Sequence, residues 1–222
     1  MTMESRRTLR VTGKGSLRLK PDMTRITMTV SDVQKEYAKA LEASARETEQ
    51  LKETLLPFGF ARGDLKTIAF DVNTEYESYE EKGQYRQRFK GYRYQHVLKV
   101  EFSSDNERLG KILYALANGA VAPELRLSYT VRDREGAKNR LLANAVEDAK
   151  AKAALLAQAA GVTLQNIQSI DYALGAPDFE VSPMARNMTF GAKRMAAEAY
   201  DMDIEPDDIE VADTVTLVYE IA

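Results

Sequence analysis

The sequence predicts an α+β fold: a mixed, largely antiparallel sheet with helices packed on one face and a long β-hairpin protruding from it. Three observations lead there. Apolar residues alternate with polar ones in several stretches, as at Ile26, Met28 and Val30, the period of a half-buried strand. Elsewhere the apolar spacing changes to three and four, most clearly over Glu36–Leu56 and from Asp133 to Ala160, the period of a helix face. Finally, two long alternating runs, Leu65–Tyr79 and Tyr85–Ser103, flank Lys82-Gly83-Gln84, which is a hairpin signal.

Thr8–Leu19 reads as the first strand, interrupted by Gly13 and Gly15. Pro21-Asp22 turns the chain into a second strand, with Arg25, Thr27 and Thr29 opposite its apolar side. Ser31 or Asp32 is placed to cap the first helix. Its inner face reads as Ala38, Leu41, Ala45, Thr48, Leu51 and Leu55, and Pro57 and Gly59 stop it. In the hairpin, Ile68, Phe70, Val72 and Tyr76 share one side of the first strand. Tyr92, Tyr94, His96, Leu98, Val100 and Phe102 share one side of the second. A register pairing even positions with even positions puts both sets on the same face. Both runs exceed the usual ~5–6 residues of a strand, so the tip is expected to project beyond the core.

Ser104 or Asp105 caps a short helix with Leu109, Ile112, Leu113 and Leu116 inward, closed by Asn118-Gly119. Leu125, Leu127, Tyr129 and Val131 alternate as a strand. Asp133 caps the longest helix, whose stripe reads as Leu142, Val146, Ala149, Ala153, Leu156 and Ala160. Residues this small let another helix approach closely, and Gly161 ends the helix. Ile167–Leu174 is a strand, and Ile209–Ile221 is the last, with Val215, Leu217, Tyr219 and Ile221 on one face.

Between these two strands the composition shifts. Pro177, Pro183 and Pro206 fall there with Met184, Met188, Met195 and Met202, half of the 6 Pro and 8 Met in the chain. The stretch 176–206 reads as a long excursion, with Lys193–Tyr200 as a short Ala-rich helix. Structureless loops beyond ~12–15 residues are usually functional or disordered. The chain reads as one domain over 1–222, with subdomains 1–122 and 123–222 as its natural division. Gly59, Leu65, Ile68, Phe70 and Val72 recur as Gly161, Ile167, Ile170, Tyr172 and Leu174 at the same mutual spacing. Either an internal duplication or a shared helix-to-strand geometry produces this.

Composition excludes several function classes. Lys+Arg is 31 against Asp+Glu 34, a formal net charge of -3, so global charge points to neither nucleic acid nor anionic membrane. With 0 Cys and 1 His, disulfides, thiolate metal sites, iron–sulfur clusters, cysteine nucleophiles and multi-histidine sites are all ruled out. No run reaches the ~18–20 apolar residues of a membrane span. Arg6, Arg7 and Arg10 are followed by no apolar segment, so no secretory signal is read. The expected address is cytoplasmic as written, and periplasmic or extracellular if a signal has been removed.

The motifs offer no chemistry. Gly13-Lys14-Gly15 lacks the third glycine of a dinucleotide fingerprint, since Arg18 stands in its place and no helix follows. These glycines read as strand residues permitting a bulge or close packing. His96, between Tyr94 and Leu98, reads as a structural histidine that prefers its neutral form if buried. The acidic run Asp201, Asp203, Glu205, Asp207, Asp208 and Glu210 reads as a solvated turn. It resembles a calcium loop only faintly, because Pro206 replaces the required glycine. No G-x-S-x-G or P-loop is present. No catalytic, cofactor-binding or metal-ligating residue is assigned, and no cofactor is expected.

The candidate interaction surface is Tyr85, Arg86, Arg88, Phe89 and Tyr92 of the hairpin with Met184, Met188 and Met195 of the excursion. The interleaved basic and aromatic residues suit a self-paired hairpin, an arm for protein contact or stacking on single-stranded nucleic acid. Glu75, Glu77, Glu80 and Glu81 across the hairpin offset the positive charge and favour the first two. Methionines adapt to partners or cover the protein's own core.

Several motifs together resemble the SIMPL-domain family over nearly the whole chain. They are Val11-Thr12-Gly13-Lys14-Gly15, Lys20-Pro21-Asp22-Met23-Thr24, the helix ending at Gly59, and Asp64-Leu65-Lys66-Thr67. Tyr92-Arg93-Tyr94, the Ala- and Lys-rich helix from Ala145 to Gly161, and the segment from Glu205 to Val211 complete the set. The resemblance implies a mixed α+β fold, large ring- or channel-like oligomers in bacterial members, and no established enzymatic activity. The family usually has Gly after the proline before the last strand, where this chain has Asp207. The combined reading is a non-enzymatic, self-assembling interaction or scaffold protein connected with stress, a homo-oligomer with a further protein partner and no nucleic acid. A small-ligand or metal-binding module in stress response is the alternative. An enzyme working through carboxylates and Tyr stands behind both.

Overall fold

A computed structural model describes residues 7–81, 83–172, 175, 177–182 and 204–222. Met184, Met188 and Met195, the Lys193–Tyr200 helix and Asp201 and Asp203 lie outside the described residues.

The elements run β1 Thr8–Leu19, β2 Met23–Gln34, α1 Tyr37–Leu55, a 3₁₀ turn Leu56–Phe58, β3 Lys66–Glu81 and β4 Gln84–Ser103. They continue with α2 Asn106–Ala117, β5 Glu124–Thr130, α3 Arg134–Ala160, β6 Leu164–Asp171, β7 Glu180–Val181 and β8 Ile209–Ile221. The fold is α+β, and its strands divide between two antiparallel sheets. Contacts group the chain into two compact units. One draws on residues up to 21, 130–181 and 207–222, and the other on 22–129.

In the second unit the strands lie in the order β3-β4-β2-β5. Ile26, Met28 and Val30 of β2 and Tyr94, Leu98, Val100 and Phe102 of β4 form the buried side of the sheet. Ala40, Ala43, Leu51 and Leu55 of α1 and Leu109, Ile112 and Leu116 of α2 close over it. Asp105 caps α2, its side chain accepting from the Arg108 N–H. The Arg108 guanidinium lies over the Phe60 ring and donates to the Phe58 carbonyl at 2.8 Å, tying the end of the first helix to the start of the second.

Three expectations are corrected here. Ser31 and Asp32 do not cap α1. β2 continues through them to Gln34, and Glu36 is the N-cap without a side-chain bond. The inner face of α1 is Ala40, Ala43, Ser44, Leu51 and Leu55, whereas Ala38, Leu41 and Ala45 are exposed. Ser44 and Thr48 are both turned inward to His96 on β4, so an apolar stripe alone misplaces the face. In the hairpin, even positions do pair with even ones at Phe70–His96, Val72–Tyr94 and Thr74–Tyr92. Register shifts between Thr67 and Ala69 and between Glu75 and Tyr76 end that pattern, and Ile68 is exposed.

In the first unit β8 is central, with β1 antiparallel on one side and β6 on the other. β1 is continuous rather than interrupted at its glycines, pairing from Thr8–Glu220 to Leu19–Ile209. α3 lies on Val11, Val215, Leu217 and Tyr219. Its buried residues are Ala137, Leu141, Ala145, Ala149, Ala153 and Ala157, each four positions after the last. The expected stripe is corrected accordingly: Leu156 is exposed, and Leu142 and Val146 flank the contact. The small residues admit the sheet instead of a second helix. A Cβ built on Gly13 would stand 2.1 Å from the Ala145 carbonyl oxygen, and one on Gly15 2.1 Å from that of Leu141. β6 begins earlier than expected, at Leu164, and ends at Asp171.

The two units share one path. In one, β2 leads directly to α1 and a 3₁₀ turn ended by left-handed Gly59; in the other, β1 is followed, past residues 22–129, by α3, ended by left-handed Gly161. The next strand forms a sheet edge, and β4 in one unit and β8 (after the short β7) in the other returns between the first two. The series is β2, α1, β3, β4 in one unit and β1, α3, β6, β8 in the other.

Candidate interaction surface

β2 pairs with β4 only as far as Gln34–Tyr92. Beyond that point β3 and β4 pair with each other alone, ending at Glu81–Gln84 with Gly83 in the turn at φ 75°. Residues 75–91 thus form an arm. Side chains alternate across a strand and directly opposed residues share a face, so the arm has two distinct sides.

One side is aromatic. The Tyr37 ring at the start of α1 meets Tyr92 edge to face at 5.6 Å. Tyr92 meets Phe89 at 5.3 Å and Phe89 meets Tyr76 at 5.9 Å. Tyr85, opposite Glu80, continues this side toward the tip. Tyr37, Tyr76, Tyr85 and Phe89 are 51%, 56%, 82% and 44% exposed. Edge-to-face pairs are worth ~0.5–1.5 kcal/mol beyond the area they bury, so Tyr37, Tyr92, Phe89 and Tyr76 brace one another, and Tyr85 stands beyond them past the Ser78–Gln87 pair.

The other side is ionic. Glu75 accepts from the Arg93 guanidinium at 2.6 Å and from the Lys90 ammonium at 3.1 Å. The Arg93 hydrogen bonds, ahead of those from Lys90, hold its carboxyl down at about 2. Glu77 pairs with Arg88, which also lies over the Tyr79 ring at 5.5 Å, and Glu81 pairs with Arg86 at 2.9 Å. Of the hairpin residues singled out in the sequence, Tyr85, Phe89 and Tyr92 therefore stand together on the aromatic side. Arg86 and Arg88 are on the opposite side, each matched to a glutamate. Tyr37 and Tyr76 join the surface without having been singled out for it. Tyr76 had a signal in its strand alternation, but Tyr37 had none, because its place depends on where β2 ends and α1 begins.

His96 is a structural group. Its Nδ1 lies 3.1 Å from both the Ser44 and Thr48 hydroxyls, and its Nε2 2.8 Å from that of Thr67. The Phe70 ring packs on it at 5.0 Å. All four partners are neutral, and burial pushes its pKa down from the usual value. A histidine that resists protonation only when folded contributes stability that is complete above its unfolded value of ~6.5 and declines as pH falls below it. Glu75 and Glu101, both shifted down, lose stabilisation only in more acid solution. Stability to urea is therefore expected to fall as pH drops below ~6.5, before the carboxylates titrate, and His96→Gln is expected to flatten that part of the profile. A profile unchanged by the substitution would refute the assignment.

Asp208 and Glu210 of the acidic run are turned to Arg18, at 2.8 and 3.8 Å. Among the described residues no group of three or more His, Cys, Asp or Glu side chains is arranged to hold a metal ion. No helix of the described residues is long and apolar enough to cross a membrane. Tyr94 is fully buried and donates to Glu47 at 2.6 Å. Burial, more than that hydrogen bond, raises its pKa far above the usual tyrosine value.

No curated protein matches the chain. The family described as "SIMPL: Protein of unknown function (DUF541)" matches it over residues 9–219.

Proposed function

We propose that this chain, which belongs to the SIMPL family, is a non-enzymatic interaction protein that assembles with copies of itself through its hairpin arm. The observation behind this reading is the exposed aromatic row on one side of the arm, which carries the single carboxylate of Glu80, while Glu75, Glu77 and Glu81 are matched by basic side chains on the other. Aromatic residues are enriched and unpaired charges depleted at the centres of protein interfaces. Four rings at these exposures present roughly 500 Å². Two copies meeting through this side would bury roughly 1,000 Å² in all, about the least that a specific interface needs. Single-stranded nucleic acid fits less well, since it needs cations beside the stacking rings, and here they face away.

The test trims the arm. Replacing Glu80–Arg88 by a short turn removes Tyr85 and most of the tip and leaves the β2–β4 core intact. The variant is expected to keep its circular dichroism spectrum and to assemble to a lower mass in light scattering. A trimmed protein of undiminished mass would remove the arm from the interface.

A further inference from the structure

β3 lies at the edge of its sheet, and its outer side faces no strand among the described residues. Such an edge is a template for another strand unless it is blunted. Here the blunting is partial. From Ala69 to Glu75 the strand is regular, bounded by a register shift at each end. Its two acids in that stretch are Asp71 and Glu75, and Glu75 is held by Arg93 and Lys90. Just before and within it, Ile68 and Phe70 expose 53% and 43% of their surfaces. Of the two edge strands of the other unit, β6 is regular only over Ser169–Asp171, and β1 carries Arg10, Lys14 and Arg18, basic side chains of the kind that blunt an edge.

Resting on the self-association reading above, we infer that two copies pair antiparallel, β3 to β3, about a two-fold axis at Val72. In this register Val72 opposes Val72, Phe70 opposes Thr74, Asp71 opposes Asn73 and Ala69 opposes Glu75. The whole regular stretch is used, and no charge meets its like. A shift by one residue would set the helix-covered side of one sheet against the bare side of the other. A shift by two would set Asp71 against Asp71, or against Glu75, and like charges directly opposed are destabilising. Each arm then runs beside the start of β3 in the second copy, bringing Tyr76 over the second copy's exposed Ile68. The pairing is isologous, so it closes as a dimer and leaves the rest of the arm for further contacts.

The test is a double-mutant cycle across the axis, read by sedimentation over a range of concentration. Asn73→Asp places a second acid opposite Asp71, twice per dimer, and is expected to raise the dissociation constant roughly 2- to 30-fold. The double variant D71N/N73D restores an acid–amide pair at the wild-type net charge and is expected to recover wild-type association. Both positions are exposed, so the fold is not at stake. An unchanged constant for Asn73→Asp, or no recovery in the double variant, overturns the edge pairing. If trimming Glu80–Arg88 still lowers the mass in that case, self-association stands and this pairing alone falls. A wild-type chain that is monomeric throughout overturns both.

Discussion

Gly13→Ala is expected to destabilise the protein by roughly 3 kcal/mol or more. The sign is the informative part. In a strand with room to spare, replacing glycine by alanine stabilises by ~0.4–1 kcal/mol, because the unfolded chain loses freedom. At Gly13 the added carbon would meet the Ala145 carbonyl oxygen at 2.1 Å and the Ala149 nitrogen at 2.4 Å. Both are backbone atoms of α3 and have no rotamer to escape into. The helix would have to lift off β1, giving up the buried row from Ala145 to Ala153 and the bond from the Lys14 N–H to Asp148 at 2.7 Å. Trimming Ala149 to glycine should not rescue the variant, since its side chain is only one of the obstructing groups. Urea denaturation of the single and double variants measures this. A neutral or stabilising Gly13→Ala would mean that α3 does not sit this close to the strand.

Gly91→Ala is the second large effect, and it falls at the root of the arm. Gly91 pairs with Glu75 at the register shift, has φ 156°, and would place a Cβ 2.4 Å from the Gln34 carbonyl oxygen at the end of β2. The substitution is expected to cost about 1–3 kcal/mol and to weaken assembly by re-aiming the arm. Gly83→Ala at the tip is the control. It also has a positive φ, at 75°, but its added carbon would meet nothing within 4 Å. Its expected cost is about 1–2 kcal/mol, with assembly less affected. Denaturant midpoints together with light scattering separate the two, and equal effects on assembly would argue against a defined arm direction.

Much of the fold was legible because its signals are local. β1 and β8 fall over the stretches expected of them, Asp105 and Asp133 cap the helices they precede, Gly161 ends α3 in the left-handed conformation, and Gly59 does the same for the 3₁₀ turn that follows α1. What was misread depended on partners distant in sequence. The inner face of α1 includes Ser44 because His96 is there to receive it. The buried stripe of α3 is nearly all alanine, which hydrophobicity alone ranks below Leu142, Val146 and Leu156. The glycines that make that stripe sensible lie on β1. On the arm, the interleaved sequence from Tyr85 to Tyr94 suggested mixed basic and aromatic character. Strand alternation and the register shift instead sort it into an aromatic side and an ionic side, which composition cannot reveal.

The most direct test of assembly through the arm is the mass of the purified chain in solution, by light scattering coupled to size exclusion across a range of concentration and salt. The expected result is a discrete species well above the 24.9 kDa of one chain. It should persist in salt, because the contact surface is aromatic rather than ionic. A clean monomer under all conditions would contradict it.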